Sequence, residues 1–366
     1  MRTGALVRRI GRQMMRDKRT LALMMAAPLL ILTLVHFLFT GDSGANPKLA
    51  VIGADEAAVE ALREMEIEPI VYSGEAEAKK LLAEEELDGV LQWQGEEAGL
   101  TLRNEDPASA KALQMKVMQT LAAQAAKQQA EGLAHLLHGK VELPAGNPLG
   151  TGEPKLAIEY LYGDADTSFF DVLSPILVGF FVFFFVFLIS GIALLRERTT
   201  GTLDRLMSTP VRRSEIVFGY LLGYGLFAVI QTLIVVFYSV KVLGIVMAGS
   251  LGIVILINLL LALVALSLGI LLSAFANSEF QMVQFIPLVV VPQVFFAGIF
   301  PVDGMADWLQ AVARIMPMYY GGDALQAVMY KGMGLSDIYA DLVALVGFAL
   351  VFILLNIAVL RKYRNI

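Results

Sequence analysis

The sequence predicts a mainly α-helical membrane protein: six transmembrane helices, an amphipathic elbow helix at the N-terminus, and a small α/β extracytoplasmic domain inserted between spans one and two. Three observations predict it. Of the 366 residues, 57% are hydrophobic and only 17% are charged, and the mean hydropathy is +0.66, as in a chain whose solvent is largely lipid. Apolar runs near the ~20 residues that a membrane-crossing helix needs recur at 21–39, 172–195, 216–240 and 251–274, from the Asn277-Ser278-Glu279 turn to about Phe300, and at 341–360. The charges are also segregated. Between Gly41 and Asp171 there are 24 acidic against 10 basic residues, whereas the segments flanking alternate span ends are basic, and that bias marks cytoplasmic loops.

The elements follow in order. Residues 1–20 carry Arg2, Arg8, Arg9, Arg12, Arg16, Lys18 and Arg19 against Asp17 alone. Leu6, Ile10 and Met14 form one apolar face, so this stretch reads as an interfacial amphipathic helix. The first span occupies 21–40. A cleavable signal peptide is its rival, since Ser43-Gly44-Ala45 offers small residues, but the apolar run is longer than such peptides carry, and an uncleaved anchor fits better. Residues 41–168 form the soluble insertion. LAVIGA at 49–54, PIVYS at 69–73, LDGVLQW at 87–93, GLTLR at 99–103 and LAIEYLY at 156–162 read as strands. Helices are expected at 55–65 and 75–86, with a long one from Asp106 to about Leu137, where Pro107 suits the first turn. The positive-inside bias places this domain outside.

Residues 169–366 hold spans two to six. Gly219, Gly223 and Gly225 in the third span permit close helix approach. Pro287 and Pro292 make a straight fifth span improbable, so a kinked or broken one is expected. Between 301 and 340, short helices with Trp308 and the Met316–Tyr320 turn suit the interface. Arg361, Lys362 and Arg364 close the sixth span, and six crossings put both termini in the cytoplasm.

The informative loop is LLRERTTGTLDRLMSTPVRRSE at 194–215. Thr202, Leu203, Leu206 and Met207 fall at helical spacing behind Gly201, and Pro210 ends the turn. That pattern predicts a short amphipathic helix across the inner mouth, although a plain positively charged anchor loop explains the same composition. Polar groups in the spans are costly unless they face protein or a wet cavity. Asn258, Gln231, Gln293 and Asn356 read first as interhelical hydrogen bonds. Glu279, Gln281 and Gln284, leading into Pro287 and Pro292, are with Asn258 the candidates for a translocation path.

Several functions are disfavoured. Cysteine is absent, which excludes disulfides and thiolate metal sites. No glycine-rich loop ends in Gly-Lys-Ser/Thr, and HLLHGKV at 135–141 has neither the spacing nor the hydroxyl to cradle phosphate, so this chain is not expected to hydrolyse ATP. His135 and His138 lack a third ligand for a metal, and the serines lack a His/Asp partner. The basic residues are divided among membrane-proximal segments, so nucleic acid is not an expected partner.

LLRERTTGTLDRLMSTPVRRSEIVFGYLLG at 194–223, LLSAFANSEFQMVQFIPLVVVPQVFFAGIFP at 271–301 and IMPMYYGGDAL at 315–325 together resemble a type-2 ATP-binding-cassette exporter permease of the bacterial multidrug or lipid-handling kind. The family pattern Glu-Arg-x-x-Gly-Thr-Leu-Asp/Glu falls on Glu197, Arg198, Gly201, Thr202, Leu203 and Asp204, and its Thr-Pro on Thr209 and Pro210. The resemblance implies a multi-pass permease of the bacterial plasma (inner) membrane. It implies a coupling loop at 196–215 whose helix docks on a separate ATPase subunit, with ATP and magnesium bound there and no cofactor on this chain. It also implies pairing with an identical or related permease in membrane lipid, and export of a drug, antibiotic or lipid-like compound. Glu197 and Arg198 are then expected to brace the helix, while Leu203, Leu206 and Met207 fill the partner's groove. Force transmission to the outer domain without cargo is the alternative.

Overall fold

A computed structural model of the chain describes residues 2–38, 48–54, 56–65, 67–72, 74, 78, 80, 82, 87–94, 97–105, 107–138, 155–165, 167–209, 211–300, 302 and 305–362. It divides into two compact units, Met1–Phe39 with Phe170–Ile366, and Thr40–Phe169.

Helix α1 (Arg2–Arg16) carries the basic N-terminus and α2 (Lys18–Leu38) the first apolar run. The second unit follows. Strand β1 (Lys48–Ile52), helix α3 (Glu56–Glu64), strands β2 (Glu68–Val71), β3 (Gly89–Gln94) and β4 (Glu97–Leu102), helix α4 (Pro107–His138) and strand β5 (Lys155–Tyr160) build it. The sheet order is β2-β1-β3-β4-β5, antiparallel only between β3 and β4. Leu49, Val51, Leu91, Leu100 and Leu102 meet Leu62 of α3 and Leu113, Val117 and Leu121 of α4 on one face. Ala50 and Val90 meet Ala78 and Leu82 on the other. Apolar cover on both faces is why the first strand reads as a continuous apolar run and not an alternating one. Most of the helix expected at 75–86 lies outside the described residues, as do the side chains of His135 and His138.

In the first unit, α5 (Phe169–Thr199) is the central post. Of its most apolar window 83% is buried, against 17% in the first and sixth spans, so those two present their sides to lipid. The short α6 (Thr202–Met207) leads to α7 (Arg213–Lys241) and α8 (Leu251–Ser273). Small residues set the spacing of α5 and α8. A Cβ on Gly269 of α8 would stand 2.5 Å from the Phe187 carbonyl oxygen of α5, and backbone cannot swing aside. A Cβ on Gly219 of α7 would meet only the side chain of Leu6 on α1. Gly269→Ala is therefore expected to destabilise by about 2 kcal/mol, as overpacking does, and Gly219→Ala by less. Thermal unfolding of the two purified variants checks the order.

The fifth span starts as α9 (Glu279–Phe285), passes through a π-helical turn at Ile286–Val290, becomes α10 (Val291–Val294), and widens again at Phe295–Ile299. Pro287 and Pro292 offer no backbone N–H, and wide turns let the hydrogen-bond ladder re-register around them. The predicted kink is thus a continuous helical path with two π turns, ending at Gly298 with φ 98°. Next come α11 (Asp307–Ala313), α12 (Pro317–Met329) and α13 (Tyr339–Lys362). Among the described residues, six helices are long and apolar enough to cross a membrane.

The polar groups flagged in the spans are placed as follows. The Met318 N–H donates to Gln293 Oε1 at 3.0 Å, and Gln293 Nε2 donates to Met316 Sδ at 3.3 Å. The fifth span therefore satisfies a free N–H at the start of α12. Asn356 Nδ2 donates to the Ser267 carbonyl at 2.8 Å and joins α13 to α8. Asn258 is fully buried and donates to the Val254 carbonyl of its own helix at 2.9 Å. Gln231 is fully buried with neither end of its amide hydrogen-bonded.

Candidate functional site

The 194–215 segment can be decoded residue by residue. Thr199 Oγ1 and Thr200 Oγ1 both donate to the Arg196 carbonyl, at 3.2 and 2.8 Å, and finish the last turn of α5. Gly201 takes φ 70°, the left-handed conformation that glycine adopts at no steric cost after a helix end. The chain turns there and starts α6 with Thr202. Asp204 places a carboxylate in the first turn of α6, where the N–H groups favour negative charge. Ser208 Oγ donates to the Arg205 carbonyl at 2.8 Å, and Thr209 Oγ1 to the Leu206 carbonyl at 2.6 Å, closing the helix. Pro210 lies outside the described residues. Glu215 Oε2 accepts from the Arg212 N–H at 2.7 Å and opens α7. That cap was not anticipated, although a carboxylate three residues into a helix is a readable signal.

The three residues just before this turn reach three ways. Arg196 donates to Glu279 of α9 through Nε at 2.6 Å and Nη2 at 3.2 Å, and lies 3.7 Å from Asp17 between α1 and α2. Glu197, only 3% exposed, accepts from both Arg9 of α1 and Tyr220 of α7. Arg198 donates to the Ala276 carbonyl in the turn between α8 and α9. One turn of α5 is thereby tied to α1, α7, α9 and the turn before it. Burial works against the Arg9 charge, but the Glu197 carboxylate beside it outweighs that and raises the guanidinium pKa above its ordinary value. Asp17 is held below the usual carboxylate range by hydrogen bonds from the Thr20 hydroxyl, at 2.7 Å, and the Thr20 backbone N–H.

Sequence reasoning named Glu197 and Arg198 but missed Arg9, Tyr220 and Arg196 as their company. Arg9 is one of five arginines on α1, and its place beside Ile10 on the edge of the apolar face was the signal available. The glycines of α7 also have a more specific use than span-to-span contact. Leu6 lies over Gly219 and Ile10 over Gly223, so α1 settles onto α7 closely enough for Arg9 to reach Glu197.

The expectation for Leu203 is corrected. It was read with Leu206 and Met207 as a filler of another subunit's groove, but it is 2% exposed. It lines a small pocket of about 20 Å³ within this chain, together with Leu194, Arg198, Ile216, Tyr220, Ile270 and Asn356. An apolar side chain next to spans finds its own chain first. Leu206 and Met207 are half-buried, while Asp204 and Arg205 are exposed, so this is the face of α6 left open.

The path candidates do not assemble as one site. Gln281 caps α9, accepting from the Asn277 N–H at 2.8 Å while its own N–H donates to Ser278 Oγ at 3.2 Å. Glu279 is engaged by Arg196, and Gln284 and Pro287 are exposed while Pro292 is half-buried. Asn258 is fifteen helical residues from the end of α8 at Ser273, about 22 Å along the axis from the Glu279 side.

Because the Arg196–Glu279 pair is half-exposed on both sides, its effect on stability should be under about 1 kcal/mol. Arg196→Glu or Glu279→Arg alone is expected to lower Tm by about a degree or two, in keeping with that energy. The double exchange is expected to restore it in part, with Asp17 left facing a carboxylate. Thermal unfolding of the three purified variants is the readout, and equal loss in all three would argue against a pairwise role.

A profile of the ABC-2 family transporter proteins matches residues 18–358. Among similar proteins, ABC transporter G family member 20 of Dictyostelium discoideum is 30% identical over 190 residues, 52% of this chain and 25% of that one. The probable multidrug ABC transporter permease YbhS of Escherichia coli is 28% identical over 168 residues, 45% of each chain. The linearmycin resistance permease protein LnrN of Bacillus subtilis is 25% identical over 186 residues, 50% of this chain and 48% of that one. The chain thus spans about half or less of the length of these relatives.

Proposed function

Because this chain belongs to the ABC-2 transporter family, we propose that it is the permease subunit of an ATP-driven exporter, moving hydrophobic or amphiphilic compounds of the drug, antibiotic or lipid-like kind out of the cell. It sits in a bacterial inner membrane with both termini and the 194–215 segment in the cytoplasm and the α/β unit outside. ATP and magnesium are bound by a separate ATP-binding-cassette subunit, and the permease pairs with a second copy or a related chain. The names of the bacterial relatives, a multidrug permease and an antibiotic-resistance permease, support the cargo class.

One observation carries the coupling role: Arg196, Glu197 and Arg198 lash one helical turn to four elements just ahead of an exposed short helix. Force applied to α6 passes through the Gly201 turn and the seated Leu203 into α5. The charged turn shares it among α1, α7 and α9. ATP binding can bias this bundle only if the two states differ in contacts with the ATPase, and the open face of α6 supplies such contacts.

Two measurements test the reading. The full chain co-expressed with an ATP-binding-cassette ATPase should co-purify with it and drive ATP-dependent dye movement in vesicles. Intact ATPase stimulation without dye movement would favour force transmission to the outer unit instead. A reporter inserted between β3 and β4 should be active only on the extracytoplasmic side, and cytoplasmic activity would invert the topology.

A further inference from the structure

Beside the charged turn lies an open groove of about 220 Å³ that neither the coupling helix nor the path candidates account for. That is room for a headgroup and the start of a chain, less than a drug-sized pocket offers. Arg196, Ile192 and Leu188 line it at four-residue intervals on α5, so Leu188 is about 12 Å deeper along the helix than Arg196. Opposite, Asp17 stands at the mouth and Leu23 six residues further on along α2, about 9 Å at the helical rise. The groove is therefore polar at the charged end of the bundle and apolar towards the middle of the spans, the arrangement an amphiphile requires.

The lining holds one acid and one base, Asp17 and Arg196. They are 3.7 Å apart and 38% and 49% exposed, a loose pair, since the hydrogen bonds of Arg196 go to Glu279. A lone anion brought to Arg196 faces both Asp17 and Glu279, and a lone cation brought to Asp17 faces Arg196. A headgroup with both charges sets its cation on Asp17 and its anion on the Nη1 side of Arg196, the side that Glu279 leaves.

We propose that this groove binds an exchangeable amphiphile with a zwitterionic headgroup of the phosphoethanolamine type, its ammonium at Asp17, its phosphate at Arg196 and its chain along Leu23, Ile192 and Leu188. As a place where cargo is felt by the coupling turn, the site rests on the exporter reading. An occupant touches that turn twice: directly at Arg196, and at Tyr224, whose ring stacks on Tyr220 at 6.1 Å and 6°, Tyr220 in turn donating to Glu197.

The test uses the purified full chain in nanodiscs, with no ATPase and no nucleotide, so that its failure is separate from failure of ATPase co-purification. The probes are single-chain lipids with a photoreactive tail and a phosphoethanolamine, phosphoglycerol or trimethylammonium head. The phosphoethanolamine probe should cross-link to peptides containing Leu23 and Leu188–Ile192, at concentrations about tenfold below the other two, a difference of about 1.4 kcal/mol. Ile192→Trp, which fills the floor and spares the mouth, should lower labelling at least about tenfold at unchanged Tm. Should Ile192→Trp fail to fold, the wild-type cross-link map and headgroup preference decide. Equal labelling by all three heads, cross-links on other spans, undiminished labelling of a stable Ile192→Trp variant, or a co-purified lipid that never exchanges with the probe would each overturn the proposal.

Discussion

Glu197→Ala is expected to lower stability by about 3 kcal/mol and, on the exporter reading proposed above, to abolish ATP-driven transport. The carboxylate is 3% exposed and accepts from Arg9 and Tyr220. Removing one partner of such a pair leaves the other desolvated and unmatched, which costs about 3–5 kcal/mol. The low end applies because the Arg9 side chain keeps 34% of its surface accessible. Replacing the charged pair with apolar groups removes the charge penalty, so Arg9→Met added to Glu197→Ala should recover part of the Tm, the buried Tyr220 hydroxyl remaining without its acceptor. It should not recover transport, because α1 and α7 remain untied from α5. Unfolding and vesicle transport on both variants separate the effects. If the double variant is no more stable than the single one, the pair is not the source of the loss.

Leu203→Asp and Leu206→Asp should fail in different ways although three residues separate them. At 203 the new carboxylate enters a mostly apolar pocket whose one charged lining residue, Arg198, already donates to the Ala276 carbonyl, and burying it there costs several kcal/mol. The helix α6 should lift from α5 and α7, and both Tm and ATPase stimulation should fall. At 206 the side chain is only half-buried, and stability should move by less than about 0.5 kcal/mol. On the proposed coupling role, ATPase co-purification should nevertheless be lost, because the open face then presents a carboxylate where that role puts an apolar contact; Met207→Asp should behave likewise. Full co-purification of the Leu206→Asp protein would show that another surface receives the ATPase.

Much of the site was legible. The threonines, glycine and leucine of TTGTL are local signals: hydroxyls that cap, a residue that turns left-handed, and an apolar side chain at helical spacing. Each acts within four residues, so the sequence carries it whole. The company of Glu197 was not legible, because Arg9 is 188 positions away and its charge on α1 looks like any of the four other arginines there. Leu203 was misassigned for the same reason. Periodicity gives the face of a helix but not which chain covers it.

Composition and periodicity by themselves determined six apolar helices, the basic helix ahead of them, the five strands of the insertion and the short helix at 202–207, because those depend on interactions between near neighbours and on the contrast between lipid and water. Tertiary structure alone decided that α5 is the central post, that Gly219 and Gly223 seat α1 rather than another span, that prolines yield π turns rather than a break, and that one acid ties α1 to α7. Those outcomes depend on close approach between distant segments, where a backbone oxygen 2.5 Å from an absent Cβ or a buried carboxylate selects one packing among several that the same pattern allows.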